Sequence, residues 1–75
     1  MNDKSAAVKI STEYIKLDSF LKLANAAQTG GEAKHYILEG LVLVDGEKCL
    51  MRGKKLRSGT KVEIPSMGKI FEVSG

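Results

Sequence analysis

The sequence predicts an α+β domain in which a two-helix motif packs against a small, mainly antiparallel β-sheet. Three observations carry this expectation. Two apolar stripes at helical spacing follow one another between Lys16 and Gly40, and alternating valines then run into an Asp45-Gly46 turn. The rest of the chain reads as short strands broken at glycines. Helices first and hairpins afterwards favour a helix layer on a sheet over a repeating strand–helix wind.

The elements follow in chain order. Residues 1–6 are small and polar and are expected to fray. Val8-Lys9-Ile10 alternates and fits a first strand. In helix one, predicted from Leu17 to Ala27, Leu17, Phe20, Leu21 and Ala24 fall at i, i+3, i+4 and i+7 on one face. Asp18 stands near the positive end of its dipole and four residues before Lys22. Thr29-Gly30-Gly31-Glu32 has the form of a capping box, in which the Thr29 hydroxyl accepts from the Glu32 N–H and the Glu32 side chain reaches back. Helix two is therefore predicted from Gly30 to Glu39, with Ala33, Tyr36 and Ile37 inward and Gly40 ending it in the left-handed region. Asp45-Gly46 marks a two-residue hairpin turn. Strands are expected near 41–44, 47–51, 60–64 and 69–73, divided by Arg52-Gly53, Ser58-Gly59 and Pro65-Ser66-Met67-Gly68. The predicted core is Leu17, Phe20, Leu21, Ala24, Ala33, Tyr36, Ile37, Val42, Val44, Leu56, Val62 and Ile64.

This ordered set resembles one family. Lys16-Leu17-Asp18, Leu21, Thr29, Ala33-Lys34, Ile37, Gly40, Val42, Val44 and Asp45-Gly46 are similar to the pattern of the S-four-like RNA-binding domain, first described in ribosomal small-subunit protein four. Leu56, Ser58-Gly59 and Val62-Glu63-Ile64 resemble its closing segment, so the likeness covers roughly residues 14 to 64. The chain looks most like the small stand-alone bacterial members of the YaaA type, which implies one domain over residues 1–75. Two positions depart from the pattern. Gly30 stands where the family commonly carries an Arg, so an RNA contact made by that Arg has no counterpart here. Asp45 replaces the turn Asn and adds a negative charge.

Composition narrows the function classes. A chain of 75 residues buries only about 60% of the surface that its unfolded form exposes, which leaves no room for a second domain or a deep substrate cleft. A net charge of +3 suits a polyanionic partner without requiring one. Cys49 stands alone, so no intrachain disulfide is expected, as in a reducing compartment. The longest apolar run, Leu41 to Val44, is far too short to span a membrane. No signal-peptide pattern opens the chain, and a soluble cytoplasmic monomer is expected.

Charge distribution carries the functional reading. Lys48, Arg52, Lys54, Lys55, Arg57 and Lys61 fall between Lys48 and Val62 with no acidic residue among them. Glycines punctuate this run, so it is expected to be a loop with its side chains projecting outward. Lys34 and His35 lie opposite the apolar stripe of helix two. The family resemblance implies that helix two and the loop form one positive surface. The expected RNA contacts are Lys34, His35, Arg52, Lys54, Lys55 and Arg57, with Lys16 and Lys22 at the margin. Lysine and arginine neutralise phosphates and release counterions, which makes such affinity steeply salt-dependent. The plainer reading is a solvated loop that aids solubility.

Other chemistry finds little support. His35 has no partners at metal-ligand spacing, and no nucleophile–base pair exists, so neither enzyme, metal nor cofactor is expected. Cys49 in a strand pattern is read as a small hydrophobe. Gly30-Gly31 could admit a phosphate to the start of helix two or be only a tight turn. Tyr14, Phe20, Tyr36 and Phe71 are too scattered for a base-stacking platform, and all but Tyr14 are assigned to the core. The expected function is therefore a non-catalytic module that recognises structured ribosomal RNA, alone or in ribosomal particles, by shape and phosphate contacts. The rivals are a protein-interaction adaptor using the same basic face, and a ubiquitin-like sulfur carrier. A sulfur carrier needs a Gly-Gly terminus, whereas this chain closes with Ser74-Gly75.

Overall fold

The computed structural model describes residues 5–75. The expected fraying of residues 1–4 lies outside them, whereas Ser5 and Ala6 belong to a strand. The elements are β1 (Ser5–Lys9), β2 (Ile15–Lys16), α1 (Leu17–Leu23), α2 (Gly30–Leu38), β3 (Leu43–Val44), β4 (Glu47–Lys48), β5 (Lys55–Leu56), β6 (Lys61–Ile64) and β7 (Lys69–Ser74). Five strands form one sheet in the order β1-β7-β6-β3-β4, antiparallel except where β1 runs parallel to β7. A separate two-stranded ladder joins β2 to β5. The fold is α+β, with two helices and a mainly antiparallel sheet.

Helix α1 ends four residues before its predicted limit, at Leu23. Asn25 takes a φ of 62°, its N–H donates to the Lys22 carbonyl, and the Ala26 N–H donates to Leu21. That double closure is a Schellman motif, with asparagine serving where glycine is commoner. Helix α2 closes in the same way: Gly40 at φ 76° donates to Ile37 and Leu41 donates to Tyr36. At its start the Glu32 N–H donates to Thr29 Oγ1 at 3.1 Å. The returning Glu32 carboxylate accepts from the Gln28 N–H at 2.8 Å, one residue before the cap itself. Thr29→Ala should lower stability by about 0.5–2 kcal/mol, because the Glu32 N–H loses its acceptor. A thermal melt matching that of the parent would show that the cap holds nothing.

Asp45 and Gly46 both have positive φ, 51° and 86°, as a type I′ hairpin between β3 and β4 requires. The Asp45 carboxylate also accepts from the Lys61 N–H at 3.0 Å, which ties the turn to β6. In β6 and β7, Val62, Ile64, Phe71 and Val73 point inward while Lys61, Lys69 and Glu72 stay exposed, the alternation of a sheet with one covered face. The core joins these residues to Leu17, Phe20 and Leu21 of α1 and to Ala33 and Ile37 of α2. Phe20 meets Phe71 edge to face at 6.1 Å, locking α1 onto β7. Ala24 and Tyr36 are only half-buried, which corrects two of the predicted core positions. Phe71 is buried as expected, and Ile10, Ala26, Ala27 and Val73 join the buried set. Early closure of α1 turns the chain so that the paired alanines, rather than another helical turn, face inward.

Candidate nucleic-acid interface

The first N–H groups of any helix lack partners within the helix. In α1 the basic segment supplies two of them. The Leu17 N–H donates to the Lys54 carbonyl at 2.9 Å, and the Asp18 N–H donates to the Arg52 carbonyl at 3.1 Å. Asp18 Oδ1 takes the Ser19 N–H at 2.7 Å. Within the segment the Lys54 N–H returns to the Met51 carbonyl, forming a tight turn. The segment from Arg52 to Leu56 is therefore fastened to the start of α1, and its Lys55–Leu56 portion is a strand rather than the open loop expected from its glycines.

This fastening groups five of the proposed contact residues. Lys16 and Lys55 stand directly opposite each other across the β2–β5 ladder, and both are exposed. Like charges so placed weaken a ladder slightly. Lys55 Nζ lies 4.8 Å from the centre of the Tyr14 ring, and the Arg57 guanidinium carbon lies 5.9 Å from it. The negative face of the ring attracts both cations. Arg57 also pairs with Glu13 at 3.4 Å, an exposed contact worth little in water. Arg52 and Lys54 hold α1 through their carbonyls and leave their side chains exposed.

The remaining contact residues lie on the helices. Lys22 is exposed in the last turn of α1, and Lys34 and His35 are exposed on α2. Among the described residues none of the three makes an ion pair or side-chain hydrogen bond with the basic segment. Lys48 points elsewhere: its aliphatic end lies 3.2–3.3 Å from where a Cβ on Gly40 would sit, so its charge rests by the C-terminal end of α2. Tyr14 and Glu13 complete the cluster although neither was among the expected contact residues. Their only sequence signal is proximity to Ile15-Lys16, a strand of two residues. Cys49 is half-buried against the core, and its thiol donates to the Met51 carbonyl at 3.7 Å. Among the described residues no group of three His, Cys, Asp or Glu side chains is placed to hold a metal ion, and no helix is long and apolar enough to cross a membrane.

A helix pair whose leading turn is capped by the backbone of a cationic segment, all carried on a small sheet, defines a small α+β module. The family model for the S4 domain matches residues 8–74, and the chain belongs to the S4 domain family. It is 48% identical over 66 residues to a protein of Bacillus subtilis (strain 168) described as a probable ribosome maturation protein, RlbA. That alignment covers 88% of this chain and 92% of the relative.

Proposed function

We propose that this protein is a non-catalytic RNA-binding module that recognises structured ribosomal RNA during ribosome maturation. The observation that carries the reading is the fastening of Arg52 and Lys54 to the first turn of α1, with Lys55 set opposite Lys16 in the β2–β5 ladder. Cations held on hydrogen-bonded backbone can meet phosphates at fixed spacing, and shape recognition of an A-form helix needs that property. Lys22, Lys34 and His35 extend the surface along the helices. Family membership and the ribosome maturation description of the Bacillus relative support the same role.

The test is a titration of a structured ribosomal RNA fragment and an unstructured RNA of equal length, each under excess competitor. The structured fragment should bind more tightly. Equal affinity would reduce the activity to polyanion attraction. Binding to neither at low salt would leave the basic face to a protein partner.

A further inference from the structure

Between Lys48 and Arg52 the chain presents two adjacent apolar side chains to solvent, Leu50 at 53% exposure and Met51 at 65%. They do not sit on a slack loop. The Cys49 N–H donates to the Val42 carbonyl on one side, and on the other the Met51 carbonyl accepts from Lys54 and the Arg52 carbonyl from Asp18. Leu50, Met51, Cys49, Lys48 and Lys54 line a shallow cleft at this tip. Asp45 and Glu47 line it too, the Asp45 carboxylate accepting from the Lys61 N–H, so two acids share the cleft with the two lysines. Two hydrophobic side chains are thus held outward on ordered backbone, with Lys54 lining the same cleft and Arg52 next in the chain.

We infer that Leu50 and Met51 form an apolar wedge that takes the face of an unstacked nucleobase while the flanking cations hold the adjoining phosphates. The inference rests on the RNA-binding reading and deepens it, since the target then carries a bulged or loop base beside its helix. Leucine and methionine are among the side chains that proteins insert against nucleic-acid bases. Bases splayed from loops and bulges are the part of RNA that offers sequence-bearing surface. A protein partner fits the patch less well: two side chains cover about one base face, whereas a stable protein interface needs on the order of 800 Å² from each side.

The probes are two short RNA hairpins that differ by one bulged 2-aminopurine, titrated at low salt with the parent and with the Leu50→Ser, Met51→Ser double variant. The parent should prefer the bulged hairpin by roughly tenfold, as befits burial of two half-exposed apolar side chains. Its binding should raise the 2-aminopurine fluorescence as the base leaves the stack. The double variant should keep its melting temperature and the salt dependence of binding, yet bind both hairpins alike with no fluorescence rise. Equal binding of both hairpins by the parent, or a preference that survives in the variant, overturns the wedge while leaving phosphate recognition intact. No binding of either hairpin by the parent overturns the RNA reading itself, and the wedge with it.

Discussion

Replacing Lys54, Lys55 and Arg57 together by glutamate is expected to abolish measurable binding to a structured ribosomal RNA fragment while leaving the domain folded. All three side chains are exposed, and the interactions lost within the protein are one solvent-exposed ion pair to Glu13 and two cations on the Tyr14 ring. Exposed contacts of these kinds are worth about 1 kcal/mol or less each. Against RNA the same change removes three attractions and adds three repulsions. Far-UV circular dichroism checks the fold, and filter binding or anisotropy checks the affinity. Reversing Lys9 and Lys69 is the control, because they lie on β1 and β7, at the other end of the sheet order from β4, which leads into the basic segment. The control should bind far more tightly than the triple variant. Comparable losses would mean that net charge, rather than this surface, governs binding. In the parent, some four to six phosphate contacts imply that raising salt from about 50 to 200 mM weakens binding roughly 50- to 2,000-fold. A flat salt response would remove phosphate neutralisation from the mechanism.

The second large effect is on stability. Phe20 is fully buried and meets Phe71 edge to face, so it couples α1 to the sheet. Phe20→Ala should cost about 3–5 kcal/mol. A chain of 75 residues commands roughly 4–11 kcal/mol in total, so the variant should lose at least about a quarter of its stability and melt at far lower urea. Phe20→Leu keeps much of the volume and should cost less than about 1.5 kcal/mol. Urea melts of the two variants separate lost packing from lost aromatic geometry. An alanine variant with a midpoint near that of the parent would show that α1 is not anchored through this contact.

Features legible in the sequence were those encoded within a few neighbouring residues. The Thr29 cap, Gly40 stop and Asp45-Gly46 turn each depend on local backbone chemistry, and each stands where its residues place it. The end of α1 was equally local but easier to overlook, because Asn25 enters the left-handed region less visibly than glycine would. The β2–β5 ladder was not legible: four residues separated by a helix pair and a hairpin leave no periodicity to detect. With it went the cation–ring cluster on Tyr14, which exists only because Ile15 and Leu56 are paired. The basic run gave the charge of the candidate surface, but the chain's path divides that charge. Lys48 turns towards α2 while Lys55 and Arg57 turn towards Tyr14.

The position of β7 governs the order in which the sheet can be completed. It lies between β1 and β6, and among the described residues β1 has no other strand neighbour. Val8 pairs with Val73, 73 − 8 = 65 positions along the chain, whereas the contacts that build the helix pair and the β3–β4 hairpin are local. Closing so long a segment carries an entropic penalty that short-range contacts avoid. The first strand in the chain is therefore expected to be the last seated in its sheet. A break in β7 would strip β1 of its partner and bare one edge of β6, yet leave intact every backbone hydrogen bond that joins the basic segment to α1.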